Sequence, residues 1–173
     1  FWLLRWLVFR IYIGAGMIKI RSDDCWLDLT CMVYHYETQP LPNPLSPWFH
    51  FMPVWFHKFE VMWNHFTELI APFFVFGPRP ARHVAGLLLG FFQIFLIFSG
   101  NLSFINCLTL AATVACFDDS FLRHVLPRFI TWKAEQAEQN SKPRLWPTRM
   151  SYAVAILVLL LSIPVVQNML SPR

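Results

Sequence analysis

Four polar side chains lie within stretches that are otherwise apolar, and two of them carry opposite charges. Arg10, Glu68 and Gln93 each lie near the middle of an apolar stretch, and His65 lies one helical turn before Glu68. Groups of these types could relay a proton or line a buried binding pocket. They could also serve only to fix helix register, because an ionisable group inside a membrane is costly unless it is paired. We expect an intramembrane polar layer in which Arg10 pairs with Glu68, and both roles stay open.

The remaining candidates for chemistry are histidines at regular spacing. His50, His57 and His65 recur every seven or eight residues. His57 and His65 could share a face only if one helix ran through both, and Pro53 and a membrane boundary near Phe59 argue against that. The chain also lacks an HExxH motif, a phosphate-binding loop and a dinucleotide fingerprint. We therefore predict no catalytic residue, no metal site and no cofactor.

The composition indicates that these side chains are positioned by membrane helices. Apolar residues make up 56% of the 173 residues and charged residues only 14%, against about 25% charged residues in soluble proteins. The uncharged stretch 84–117 is too long for one membrane crossing, and the turn residues of "SGNLS", around Gly100 and Asn101, divide it. We predict an all-α polytopic membrane protein. Its five transmembrane helices are expected at about 2–20, 59–77, 82–99, 103–118 and 150–167.

The charges of the connecting loops predict an orientation. Loops 77–83 and 118–149 are rich in arginine and lysine, which is typical of the cytosolic side, whereas loop 21–58 is mainly acidic. The whole of 1–173 is then a single transmembrane domain, with one large loop on the far side of the membrane. The cytosolic loop carries an apolar stripe at helical spacing, which predicts an amphipathic helix in the membrane interface. The stripe consists of Phe121, Leu122, Val125, Leu126, Phe129 and Ile130.

Loop 21–58 contains a pair of cysteines and many aromatic residues. Cys25 and Cys31 could form a disulfide in an oxidising compartment if the residues between them are not a regular helix. The aromatic residues could form an interfacial belt or a surface that binds a client protein. The candidate client-binding residues are Trp26, Tyr34, His35, Tyr36, Glu37, Trp48, Phe49, Trp55 and Phe56.

Several long motifs of the chain, in order, resemble the lipase maturation factor family. They are "FRIYIGAGMIKIRSDDCWLDLTCMVYHYETQPLPNPLSPWFH", "HKFEVMWNHFTELIAPFFVF", "FSGNLSFINCLTL" and "ACFDD". The resemblance covers residues 1–120, and stretch 120–150 is not distinctive. It is carried by many motifs rather than by one short pattern.

The resemblance implies a multi-pass protein of the endoplasmic-reticulum membrane. Such proteins act as chaperone-like factors, not as enzymes, in the folding, assembly and maturation of secreted proteins, chiefly dimeric lipases such as lipoprotein lipase. Loop 21–58 and the C-terminal end would be luminal, and the family's luminal C-terminal domain would follow residue 173. The expected partners are secreted lipases, the lipid bilayer and other folding factors of the same compartment, and not nucleic acids. An alternative is an intramembrane enzyme with a lumen-facing pocket, related to carboxylase-like membrane proteins.

Overall fold

The described part of the chain is helical throughout, with turns between the helices. A computed structural model describes residues 1–39, 43–100, 104–139 and 145–170, with only the backbone described at 145–148 and 169–170. No strand occurs among these residues, so the prediction of an all-α protein is confirmed for them. Asn101, expected in a turn, lies outside the described residues. The helices are α1 Trp2–Ser22, α2 Met32–His35, α3 Ser46–His50, α4 Val54–His65, α5 Arg79–Ser99, α6 Phe104–Thr113, α7 Asp119–Val125, α8 Arg128–Gln139 and α9 Leu145–Leu170.

The chain divides into two compact units, residues 1–118 and 119–173. In the first unit, α5 packs against α6 and against the segment after α4, and α1 packs against both of those. Their shared core is formed by small and branched side chains together with two large aromatic rings. These core residues are Val8, Tyr12, Ala71, Val75, Ala85, Leu89, Phe92 and Cys116.

The segment after α4 departs from α-helical geometry. It continues as a π-helical turn at Phe66–Ile70 and then as a 3₁₀ helix at Ala71–Phe76. Pro72 has no N–H group for a regular helical bond, and the Thr67 hydroxyl donates to the Trp63 and Asn64 carbonyls at 2.9 and 3.1 Å. Such π-turns change which way the following side chains point, and they occur often at functional sites.

Two arginines hold the far end of the α6 region. The helix ends in a 3₁₀ turn at Val114–Cys116, whose last carbonyls would otherwise lack donors. Arg5 Nε donates to the Ala115 carbonyl at 3.0 Å, and Arg82 Nε donates to the Cys116 carbonyl at 2.9 Å. The cations of α1 and α5 therefore complete a helix terminus where positive charge is favourable.

Gly86 allows α5 to approach this 3₁₀ turn closely. A Cβ atom added at Gly86 would lie 2.7 Å from Cys116 Cβ and 2.9 Å from Phe117 Cζ. The Cys116 Cβ atom is fixed to the backbone, so the two segments would have to separate. At Gly90, one turn later on α5, an added Cβ would meet only Leu110 Cδ1, at an ordinary 3.6 Å.

We therefore expect Gly86→Ala to lower the free energy of unfolding by about 1–3 kcal/mol, the usual cost of overpacking. Gly90→Ala is the matched control and should be neutral or stabilising by up to about 1 kcal/mol, because alanine favours the helix. Thermal unfolding of the purified protein in detergent, followed by tryptophan fluorescence, measures both. Equal midpoints for the two variants would contradict the close approach at Gly86.

The second unit contains α7, α8 and α9. The predicted amphipathic helix is divided into α7 and α8, which are separated at Leu126 and Pro127. An exposed ion pair, Arg123 Nη1 to Glu135 Oε1 at 3.3 Å, joins α7 to α8. The break occurs where proline removes a donor from the helical ladder.

Two helices of the described chain are long and apolar enough to cross a membrane, at Arg79–Ser99 and Arg149–Asn168. The apolar helical segment Phe104–Cys116 is shorter. α1 carries four cationic residues, and the apolar segment that begins with α4 is interrupted by its π-turn. The predicted arrangement of five passes with alternating loops therefore stays a prediction.

Candidate functional site

The polar residues of the first unit meet at a buried ion pair between α1 and the π-turn. Lys19 Nζ lies 2.6 Å from Glu68 Oε1, and it also donates to Asn64 Oδ1 at 3.0 Å. The Glu68 side chain is 4% exposed and that of Lys19 is 23% exposed. Lys19 Nζ also lies 4.9 Å from the centre of the Trp26 ring, where a cation is attracted to the aromatic face. The lysine thus compensates a carboxylate that would be costly to bury alone.

The expected pairing of Arg10 with Glu68 is therefore corrected, since the cation at Glu68 is Lys19. A Cβ atom added at Gly16 would lie 3.1 Å from Glu68 Cβ, which places Glu68 beside Gly16 on α1. Six residues separate Arg10 from Gly16, about 9 Å along the helix axis, whereas Lys19 is one turn away on the other side. The sequence-based estimate of depth placed Glu68 too close to the start of α1.

The other members of the expected polar layer have partners of their own. His65 Nε2 lies 2.9 Å from the Trp26 carbonyl, which can only accept, so the imidazole donates to the start of the loop. Gln93 lies on α5 within hydrogen-bonding reach of the Tyr12 hydroxyl, which itself donates to the Leu89 carbonyl at 2.9 Å. Gln93 thus lies at the level of Tyr12 and Glu68 at the level of Lys19, so the predicted layer extends over about two turns of α1.

A tight turn brings the two cysteines of loop 21–58 together. Their Cα atoms are 4.8 Å apart, within the range of a disulfide, and the two sulfurs lie at bonding distance. The chain reverses between them at Leu29, whose φ of 59° is left-handed, and the Thr30 N–H donates to the Cys25 carbonyl at 2.9 Å. The segment between the cysteines is therefore not a regular helix, which is the condition under which we expected them to pair.

A second buried polar network fastens the loop to α4. The Tyr36 hydroxyl donates to Glu60 Oε1 at 2.5 Å, and Glu60 Oε2 shares a hydrogen with His57 Nδ1 at 3.0 Å. The other nitrogen of His57 lies 3.3 Å from the His50 carbonyl. Tyr36, His57 and Glu60 are all buried. This network was not predicted, although the spacing of three residues between His57 and Glu60 on one helix was a usable signal.

Burial changes the proton affinities of two loop side chains. Burial lowers the pKa of His35, and the nearby charge of Lys19 acts in the same direction. Burial also raises the pKa of the Tyr36 hydroxyl, and its hydrogen bond to Glu60 adds to the effect. Both groups are therefore held in their neutral forms near neutral pH.

The structure separates the nine candidate client-binding residues into inward and outward groups. Phe49 and Phe56 are half-buried and stacked on one another, and Phe49 also stacks on Tyr36 with ring centres 5.8 Å apart. Trp26 and His35 are half-buried. The Trp26 ring contacts His65, and the His35 ring contacts Tyr36. Tyr34 and Glu37 are exposed, and Glu37 pairs with His50 at 3.0 Å. The inward group connects the loop to the helices, which leaves it little surface for a partner.

The outward group forms an exposed apolar surface around α3 and the start of α4. Trp48 is 72% exposed, Trp55 69% and Phe51 83%, and Met52 lines one surface depression together with Trp48 and Phe51. We name Trp48, Phe51, Met52 and Trp55 the outward aromatic surface. Phe51 and Met52 were not among the predicted residues, although both fall in the aromatic stretch "PWFHFMPVWF". Large exposed aromatic side chains of this kind usually contact a partner or a membrane interface.

Comparison with known proteins gives one consistent result. The family described as the lipase maturation factor transmembrane domain matches residues 1–124. Lipase maturation factor 1 of Mus musculus is 48% identical, over 99% of this chain and 32% of the relative. The human protein of that name is also 48% identical, with the same coverage of both chains. Lipase maturation factor 2 of Mus musculus is 37% identical over 91% of this chain and 22% of the relative.

The chain spans about a third or less of the length of these curated relatives. No solved structure matches the chain. The match to the transmembrane-domain family, at residues 1–124, includes the loop that carries the outward aromatic surface.

Proposed function

Because this chain belongs to the lipase maturation factor family, we propose that it helps secreted lipases to mature as part of a multi-pass protein of the endoplasmic-reticulum membrane. Its role is that of a chaperone-like factor for folding and assembly, and its clients are dimeric lipases such as lipoprotein lipase. The outward aromatic surface carries this proposal, because it is apolar and exposed, and because its Trp55 contacts Phe56, which stacks on Phe49. Other folding factors of the compartment would act with it.

We place loop 21–58 and the C-terminal end on the luminal side and count five passes. The alternation of basic and acidic loops supports this orientation. The close approach of Cys25 and Cys31 also supports it, since an oxidising lumen favours a disulfide there. In this arrangement, clients in the lumen meet the outward aromatic surface.

The proposed role is not catalytic. Three ionisable groups of the first unit have structural partners: Glu68 contacts Lys19, His65 contacts a backbone carbonyl, and His57 contacts Glu60. Groups engaged in this way stabilise the packing of the loop on the helices. Binding of a partially folded client requires only an exposed apolar surface at a fixed position.

A rescue experiment tests the outward aromatic surface. We expect Trp48→Gln/Phe51→Gln/Trp55→Gln to reduce secreted lipase activity by about tenfold or more, because aromatic anchors dominate binding energies. Cells that lack the factor would be supplied with the full-length protein carrying each variant, at matched membrane levels. The control Trp48→Phe/Trp55→Phe keeps aromatic area and should retain most activity.

A cross-linking arm distinguishes client binding from a membrane belt. A photoreactive amino acid at position 51, in an otherwise unchanged protein, should capture the folding lipase in the client-binding case. Full rescue by the glutamine variant would contradict the proposal. Capture of lipids alone from position 51 would assign the surface to the membrane interface instead.

A further inference from the structure

A cavity of about 550 Å³ lies within the first unit, between α1, the α4 region, α5 and α6. This volume is in the range of sites that hold one small molecule. Its wall is mostly apolar and includes Ile11, Ala15, Trp63, Phe92 and Leu96. A few polar side chains converge on it, which is the usual composition of a ligand site rather than of a packing defect.

Two buried acceptors of the wall have no hydrogen-bond partner among the described residues. They are Glu68 Oε2 and Gln93 Oε1, and both side chains line the cavity. Glu68 is 3% exposed and Gln93 is 6% exposed. A buried acceptor left without a donor is costly, so an occupant that donates hydrogen bonds to these oxygens would be stabilised here.

The charge of the site disfavours an anionic head. Lys19 is already paired with Glu68 at 2.6 Å, so a second carboxylate or phosphate would compete with Glu68 for one cation. The open groups are both acceptors, so the occupant must supply donors without a negative charge. Hydroxyl groups meet this requirement and are far less costly to bury than an ammonium group.

The rim of the cavity is apolar and exposed. Phe59, Phe91 and Ile105 line it, and each is more than half exposed. In a membrane protein, exposed side chains of this kind face the acyl chains of the bilayer. An occupant can therefore enter from the hydrocarbon layer without first crossing water.

We infer that this cavity binds a neutral lipid with a single acyl-length chain and hydroxyl donors at its head. The chain lies along the apolar wall, and the hydroxyl groups donate to Glu68 Oε2 and Gln93 Oε1 once the end of each side chain turns toward the cavity. A monoacylglycerol and a long-chain alcohol share this chemistry. This binding is separate from the outward aromatic surface, and neither proposal depends on the other.

Photolabelling of the purified protein in detergent tests the inference. The probes are a monoacylglycerol and a long-chain alcohol, each with a diazirine in its chain. We expect labelled peptides from α1, α5 and α6, and competition by unlabelled probe but not by the fatty acid or phosphatidylcholine of equal chain length. The stronger of the two probes identifies the source of the hydroxyl head.

Matched variants on α1 and α5 decide whether the label reports the cavity. Ala15→Leu fills the cavity and should abolish most labelling. Gly14→Leu is the control: a Cβ added at Gly14 meets nothing within 4 Å, so labelling should be unchanged. Gln93→Leu removes one acceptor and should weaken competition by about fivefold. Equal competition by phosphatidylcholine or the fatty acid, or unchanged labelling of Ala15→Leu, would overturn the inference. Thermal midpoints confirm that each variant is folded before labelling.

Discussion

Lys19→Met is expected to lower the free energy of unfolding by about 3–5 kcal/mol, because it leaves the Glu68 carboxylate buried without its cation. The Glu68 side chain is 4% exposed, so water cannot replace the lost partner. Proteins are stable by only about 5–15 kcal/mol, so the folded yield from membranes should also fall. Thermal unfolding in detergent and size-exclusion profiles of the solubilised protein measure the two effects.

The reverse change, Glu68→Met, should cost less than Lys19→Met. Lys19 is 23% exposed and has a long flexible stem, so its ammonium group can turn toward water when its partner is removed. The double variant Lys19→Met/Glu68→Met should recover most of the loss, because an apolar pair often replaces a buried ion pair without penalty. Lys58 is exposed on α4, and Lys58→Met should stay within about 0.5 kcal/mol of the wild type. A double variant no more stable than Lys19→Met would show that the charges are not coupled.

Sequence patterns predicted the helical class and the character of the loop. Uncharged stretches at 84–117 and 150–169 predict helices by their length and composition, because apolar stretches this long are typical of helices that cross a membrane. Cys25 and Cys31 were identified as candidate partners by their shared loop. The helix bounds were less accurate: α4 begins at Val54, directly after Pro53, and not near residue 59. Pro53 is the N-cap residue of α4, where no intrahelical N–H bond is lost, so the helix runs from Val54 through His57 to His65.

The partner of Glu68 could not be found by counting residues. A count assumes straight α-helices, whereas the chain changes to a π-turn at Phe66–Ile70 and to a 3₁₀ helix after it. The level at which α1 meets this segment depends on the close approach at Gly16. A glycine in a sequence does not reveal which neighbour will approach it. The choice between Arg10 and Lys19 therefore depended on tertiary packing.

The position of Tyr36 was equally hidden. Tyrosine has an apolar ring and a polar end, so its presence in a loop is compatible with exposure or with burial over a polar partner. The partner is Glu60, which is 24 residues away and lies on α4, whose start was expected only at residue 59. Trp48 and Trp55, by contrast, are exposed, as a client-binding surface requires. Local pattern indicated which residues are unusual, and the fold determined which of them face outward.

Glu60→Leu is expected to lower the free energy of unfolding by about 3 kcal/mol, because it leaves two buried groups, the Tyr36 hydroxyl and His57 Nδ1, without a partner. Each such loss costs about 1–3 kcal/mol. Tyr36→Phe removes only one bond and should cost about 1–2 kcal/mol. Since the network fastens the loop to α4, Glu60→Leu should also make loop 21–58 more sensitive to limited proteolysis in detergent. Thermal unfolding gives the energies, and mass spectrometry of the fragments locates the cleavage.

The chain contains its own control for this prediction, because its described residues include two glutamate–histidine pairs in different surroundings. Glu37 lies 3.0 Å from His50, but the Glu37 side chain is 64% exposed, and an exposed pair contributes only about 0–1 kcal/mol. Glu37→Gln should therefore leave the midpoint and the proteolysis pattern nearly unchanged. A double-mutant cycle of Tyr36→Phe and Glu60→Leu should show a combined loss smaller than the sum, since both changes remove the same bond. Strictly additive losses, or equal effects at Glu37 and Glu60, would show that burial of this network does not determine how firmly the loop is held.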